Sequence, residues 1–315
     1  MPPQKPLASD PITAGPLAAY AALCLIWGST FLGIRIAVET LPPFGMIGVR
    51  SVIAGLVLGG IALWRGAAWP DRRALASAAT TGVLMFAGSQ ALLSWGEVRL
   101  PSGPAAILGC TVSLFTPLVS WLIGASRRPS LRAALGLIAG FAGVVVLVRP
   151  DPGGAGIDRV AAVVVLLSAL SWSFGAAVVR LVPTGRSPLL GSALQMGVGG
   201  LACLAISGLC GEWTRFDPSL VTTRSLVAMG YLIVMGSLVA FACFGWLVQI
   251  WQPERLSTYA YINPLVALFL AAGVAGETIG VRELGAAALI LGAVGLVMVR
   301  RSRPATARVL VAAEN

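Results

Sequence analysis

The chain has 315 residues, 57% of them apolar and 11% charged, with a mean hydropathy of +0.89. Soluble domains carry about 25% charged residues, so a soluble fold could not clothe its surface, and a disordered chain would not be this apolar. Histidine is absent, which removes histidine triads, histidine metal sites and histidine proton relays. The net charge of +10 comes from 22 basic residues scattered in ones to threes between apolar stretches. That spacing reads as topogenic loop charge and not as a nucleic-acid surface. The cysteines (Cys24, Cys110, Cys203, Cys210, Cys243) form no CxxC pair and read as small packing residues. No cofactor or metal is expected.

Residues 1–15 are polar and proline-rich and read as a cytoplasmic tail, with no cleavable signal pattern. Ten apolar segments follow, each close to the ~20 residues a spanning helix needs. Their estimated bounds are 16–38, 43–64, 74–95, 102–125, 131–149, 160–182, 188–209, 224–250, 255–275 and 282–300. The expected fold is an all-α membrane protein of ten transmembrane helices. The layout is a first repeat at 16–149, a linker at 150–159, a second repeat at 160–300 and a basic cytoplasmic tail at 301–315.

Loop charge sets the expected orientation. The N-terminal tail, the even-to-odd loops and the C-terminal tail hold fourteen basic residues against four acidic ones. The odd-to-even loops hold six basic and eight acidic residues, Glu39, Glu97, Glu212 and Glu277 among them. The positive-inside rule then puts both termini in the cytoplasm.

The halves repeat. Trp27 and Arg35 in segment 1 recur as Trp172 and Arg180 in segment 6, and Pro43 before segment 2 recurs as Pro188 before segment 7, all at an offset of 145. Five spans per half is an odd number, so the second half must be inverted relative to the first. Inverted repeats are a transporter architecture with the site near the midplane between them.

The runs Ile26-Trp27-Gly28-Ser29-Thr30-Phe31, Arg35-Ile36-Ala37-Val38-Glu39 and Pro42-Pro43-Phe44 resemble the opening of the EamA-type transporters of the drug/metabolite transporter superfamily. Leu100-Pro101-Ser102-Gly103, Ser257 to Pro264 and Gly276-Glu277-Thr278 are similar as well. The resemblance covers roughly residues 16 to 300. It implies a ten-helix bundle of two inverted repeats that exports small metabolites, with bacterial inner-membrane amino-acid exporters as the nearest branch. The chain departs from that pattern at Ser113, where family members often carry proline; here Pro117 follows four residues later.

Polar groups deep in a span tend to face a cavity or another helix. Trp27 and Thr30, three apart, share a face of segment 1, and Trp172 occupies the equivalent place in segment 6. Ser89 and Gln90, with Ser94 and Trp95 nearer the span end, mark segment 3. Ser113 marks segment 4, and Tyr259 and Asn263 mark segment 9. Each has packing or an interhelical hydrogen bond as its alternative. Pro264 frees a backbone carbonyl one turn back and could act as a gate or a static bend. Arg50 and Arg35 could attract a substrate carboxylate; Arg35 could instead pair with Glu39, and Arg50 could snorkel.

No Asp or Glu falls mid-span. A facilitator is therefore expected, or weak proton coupling through an end-of-helix acid such as Glu277. The expected function is export of amino acids or similar small metabolites by alternating access. The alternative is export of hydrophobic drugs or of nucleotide-sugar or lipid-type compounds. An enzyme is not expected, because neither a Ser/His dyad nor paired mid-span aspartates exist. The expected partners are a small-molecule substrate and the lipid bilayer of a bacterial-type inner membrane; nucleic acid is not among them, and the sequence leaves a homo-oligomer open, since glycine contacts serve internal packing as well as dimers.

Overall fold

The computed structural model describes residues 13–126, 128–149, 157–251, 256 and 258–298. The expected tails, most of the 150–159 linker and the turn before segment 9 lie largely outside these residues.

Among the described residues the main helices are α1 (Ala14–Ala37), α2 (Pro43–Trp64), α3 (Arg72–Glu97), α4 (Ser102–Leu122), α5 (Leu131–Val148), α6 (Arg159–Leu181), α7 (Pro188–Leu209), α8 (223–250), α9 (Tyr259–Gly273) and α10 (Val281–Met298). No strand occurs among the described residues. Eight of the ten, α1 to α8, are long and apolar enough to cross a membrane. Helix α9 has 15 residues and α10 has 18. Ten spans was the expectation from sequence; length and composition establish eight.

Local chemistry explains where the helices begin and end. Asp71, Ser130, Asp158, Ser187 and Thr222 cap α3, α5, α6, α7 and α8, their side chains accepting from a backbone N–H three residues on. Pro43 and Pro188 stand at the first position of α2 and α7, where a missing N–H costs nothing. Those two helices are followed by Gly66 (φ 77°) and Gly211 (φ 70°), left-handed turns that favour glycine. Both pairs are 145 residues apart, the offset of the tryptophan pair.

The internal duplication also shows in the interior of the helices. Both α3 and α8 carry a π-helical stretch, at Val83–Ala91 and Leu232–Val239. Both α4 and α9 contain a proline, Pro117 and Pro264. The packing repeats the theme. The most extensive contacts are α2 against α7 and α5 against α10, each pairing equivalent helices. The contact of α1 with α9 has its counterpart in α6 with α4, and that of α3 with α6 in α8 with α1. Exchanging helix n for n + 5 maps these four pairings onto one another.

Loop contacts fix how the helices thread. Glu212, after α7, accepts from Phe44 N and Gly45 N at the start of α2. Arg224 pairs with Glu39 at 3.6 Å, Arg99 with Asp158 at 3.6 Å, and Arg282 donates to the Arg149 carbonyl. Each joins one odd-to-even connection to another, and Arg35 near the end of α1 donates to the Val98 carbonyl after α3, so the five lie at one end of the bundle, here called the α1–α2 end. At the opposite end Ser77 donates to the Val182 carbonyl and Tyr20 meets Thr258.

Glycine and alanine line the helix crossings. A Cβ on Gly55 would stand 2.8 Å from the Ala193 carbonyl oxygen, and one on Gly200 2.9 Å from the Val52 nitrogen. Helices α2 and α7 therefore touch almost backbone to backbone, as small residues allow in membranes. Leu25, Leu56, Ile138 and Phe269 point outward and are exposed, as a surface solvated by lipid tails requires.

Candidate functional site

A cavity of about 180 Å³ lies between the two halves, lined from α1, α2, α3, α4, α6, α8 and α9. Its aromatic wall is built around Trp27. The indole meets Tyr259 edge-on at 5.2 Å and 77°, Phe241 at 5.6 Å and 70°, and Phe244 at 5.4 Å. Phe244 in turn meets Tyr259 at 6.1 Å and 84°. Edge-to-face rings at these spacings hold each other in place. The four come from α1, α8 and α9, so the box locks three helices together.

The polar wall comes from α3, α4 and α6. Ser89 and Gln90 reach the cavity from the π stretch of α3. A π bulge turns residues that a regular α-helix would place elsewhere, and such bulges often sit at functional sites. Ser171 of α6 donates to the Leu84 carbonyl at 2.8 Å, tying that stretch to the second repeat. Ser113 and Ser168 line the cavity from α4 and α6, beside Trp172. Asn263 sits at the α1–α9 crossing; its amide, oriented to donate, reaches the Cys24 carbonyl at 3.2 Å and the Tyr259 carbonyl at 3.1 Å.

Arg50 is the charged member of the lining. It is 7% exposed. Its Nε donates to Ser237 Oγ at 2.9 Å, in the π stretch of α8. Its Nη1 has no acceptor. One neutral hydroxyl is poor compensation for a buried guanidinium with five N–H donors.

Of the residues singled out from sequence, Trp27, Thr30, Arg50, Ser89, Gln90, Ser113, Trp172, Tyr259, Asn263 and Pro264 all line this cavity. Ser94 and Trp95 are placed elsewhere. Ser94 is buried and donates back to the Gln90 carbonyl, the usual recourse of a helical serine. The Trp95 ring lies under the Arg99 guanidinium at 4.7 Å.

Arg35 and Glu277 lie outside the cavity. They line a separate recess at the α1–α2 end with Glu39, Pro101 and Arg224. Arg35 does not pair with Glu39. It donates to the Glu97 and Val98 carbonyls at 2.8 and 3.2 Å, acceptors that a helix C-terminus leaves open, while Glu39 takes Arg224 instead. Glu97, counted from sequence with the loop acids, is 0% exposed and neither carboxyl oxygen has a hydrogen-bond partner.

Phe31, Ser168 and Phe241, which line the cavity, and Phe244, which packs on Trp27 and Tyr259, were not anticipated. Phe241 and Phe244 sit three apart in an apolar run, and nothing in the sequence separates a ring facing a cavity from one facing lipid.

The chain matches the model of the EamA-like transporter family twice, over residues 14–149 and 159–299. It is 35% identical over 282 residues to the inner membrane transporter YedA of Escherichia coli K12, covering 89% of each chain. It is 27% identical over 292 residues to the protein PecM of Dickeya dadantii, covering 88% of this chain and 92% of that one. A probable amino-acid metabolite efflux pump of Salmonella typhimurium is 23% identical over 275 residues, covering 85% of this chain and 89% of that one. One solved crystal structure superposes with a TM-score of 0.59 at 20% identity, over 94% of this chain and 99% of that one, a likeness of fold alone. Two family matches, one on each half of a duplicated helical bundle, and a relative sharing a third of its residues leave one assignment: the chain is a membrane protein of the EamA-like transporter family.

Proposed function

We propose that this transporter exports amino acids or similar small carboxylate-bearing metabolites by alternating access around the cavity between its halves. The observation that carries the reading is Arg50, a buried and under-satisfied guanidinium in the wall of a cavity that also presents aromatic rings. A carboxylate would supply the acceptors it lacks. Trp27, Tyr259 and Trp172 would hold the substrate's apolar part, and Ser89, Gln90, Ser113 and Asn263 would orient its polar groups. The cavity is smaller than the ~300–1,000 Å³ of drug-sized sites, which favours small metabolites over drugs or sugar-linked lipids.

In this reading all ten helices span the membrane, α9 with help from the residues before it, and the two repeats rock against each other. The charge bias puts both termini in the cytoplasm and the α1–α2 end outside. Pro264 would let α9 bend. Glu277 and Arg35 would belong to the outer gate. With no carboxylate lining the cavity among the described residues, flux would run down the substrate gradient.

Counterflow in proteoliposomes tests this. Preloaded unlabelled amino acids should drive uptake of labelled threonine, methionine or phenylalanine without a pH gradient, and Trp27→Ala or Gln90→Ala should reduce it. Absence of exchange for every amino acid, from protein shown to be folded, would refute the amino-acid reading.

A further inference from the structure

We propose that the cavity selects organic monocarboxylates of net charge −1 with an apolar or aromatic body, and that an ammonium group is not part of what it recognises. This rests on the carboxylate-bearing substrate proposed above and narrows it, away from amino acids and toward metabolites that carry a carboxylate without an ammonium.

The charge inventory of the site carries the inference. Among the described residues lining the cavity, Arg50 is the one charged side chain; no Asp or Glu is present to meet an ammonium. The site is therefore cationic. Its guanidinium is buried, has one hydrogen bond to a neutral hydroxyl, and leaves Nη1 without an acceptor. A monoanion neutralises this site. A zwitterion brings the same carboxylate but adds a buried positive charge that no lining side chain offsets, and a cation adds repulsion as well.

Two features show that the arginine is built in and not left over. Gly236 packs directly on the guanidinium: a Cβ there would stand 3.2 Å from Nη2 and 3.2 Å from Thr30 Cγ2, so a side chain at 236 would compete for the space beside the charge. Ser237, the next residue, holds Nε and thereby fixes the plane of the fork. Both belong to the π stretch of α8.

The neutral polar groups carry no charge that could offset an ammonium: Thr30 and Ser168, whose hydroxyl hydrogens go to the Trp27 and Val165 carbonyls, offer only the lone pairs of a neutral oxygen. The rings of the aromatic box turn edges toward faces of one another. Each such contact covers a ring face that a cation would need, so the box suits an apolar body.

The test compares three matched ligands on purified protein in lipid nanodiscs: 3-phenylpropanoate, phenylalanine and phenethylamine. Binding is read by thermal shift and by tryptophan fluorescence, independently of flux. The expected order is phenylpropanoate first, phenylalanine at least threefold weaker, and phenethylamine without effect. In Arg50→Gln protein, shown to be folded by its melting transition, the acid's advantage over the amine should fall at least tenfold. Should that variant not fold, Gly236→Ala, which crowds the guanidinium, is expected to weaken the acid selectively. Phenylalanine binding tenfold tighter than phenylpropanoate, amine binding equal to acid binding, or no binding of the acid at all would each overturn the inference. Phenylpropanoate binding without counterflow would sink the transport reading and leave this one standing. Phenylalanine counterflow without phenylpropanoate binding would do the reverse.

Discussion

Glu277 holds the N-terminus of α4 through Ser102: its Oε1 accepts from the Ser102 nitrogen at 2.8 Å and the Ser102 hydroxyl at 2.7 Å, and its Oε2 accepts from Gly103 N at 3.0 Å. Glu212 does the same for α2, accepting from Phe44 N, Gly45 N and the Ser207 hydroxyl. Each carboxylate sits in a loop of the second repeat and caps a helix of the first. A negative charge on a helix N-terminus is favoured by the exposed N–H groups and the helix dipole. The two bridges pin the repeats together at the α1–α2 end, so a motion that parts the repeats there must break them.

Glu277→Gln should therefore loosen that end without unfolding the protein. One amide oxygen replaces two carboxylate oxygens, and the amide NH2 faces donors. The loss is about 1.5–3 kcal/mol, the worth of hydrogen bonds to a charged group. Accessibility of a cysteine placed at Ala275, which lines the recess beside Glu277, should rise several-fold toward a membrane-impermeant thiol reagent. Unchanged labelling would mean that Glu277 is not a latch.

Gly28 lies next to Trp27, where α1 crosses α9. A Cβ at this position would stand 2.5 Å from Val266 Cβ and 2.8 Å from the Asn263 carbonyl oxygen. Neither atom belongs to a flexible side-chain end, so the helices would have to separate. Gly28→Ala is expected to cost about 1–3 kcal/mol as overpacking does, and to open the ring box. Gly60, with nothing within 4 Å, is the control: Gly60→Ala should be neutral or slightly stabilising, since alanine favours helix. Thermal melts of the two variants in the same lipid check this; equal melting temperatures would contradict the close crossing.

Trp27 and Trp172 are equivalent in the duplication, yet their surroundings differ. Trp27 is packed against three rings, whereas no ring pairing involves Trp172 among the described residues. Trp27→Ala should raise the half-saturating substrate concentration tenfold or more, about 1.4 kcal/mol, and Trp172→Ala should raise it less. Equal effects in a counterflow titration would show that the box is packing alone.

Much of this was legible in the residues. The helix bounds of α2 and α7 were marked by Pro43 and Pro188, because the missing N–H of proline costs nothing at a helix start. The Trp27–Trp172 offset exposed the duplication, and polar and aromatic residues deep in apolar segments found half of the cavity lining, because a bilayer penalises polar groups elsewhere. Three things were not legible. The π stretches depend on tertiary fit, since Val83–Ala91 has the composition of any apolar helix. The partners of Arg35 are backbone carbonyls, which every sequence supplies equally. The burial of Glu97 depends on how the end of α3 meets α4 and α6, at a position indistinguishable from a loop acid by spacing.

Glu97 supplies the last prediction. Its side chain is wholly enclosed and neither oxygen receives a hydrogen bond, while the nearby Arg35 guanidinium spends its Nη1 on backbone carbonyls. A buried carboxyl without donors costs stability, about 1–3 kcal/mol for an unsatisfied polar group and more when charged. Glutamine keeps the shape and cannot ionise. Glu97→Gln should therefore raise the melting temperature by a few degrees in nanodiscs. A variant that melts lower than the parent would mean that the carboxyl is satisfied and needed where it stands.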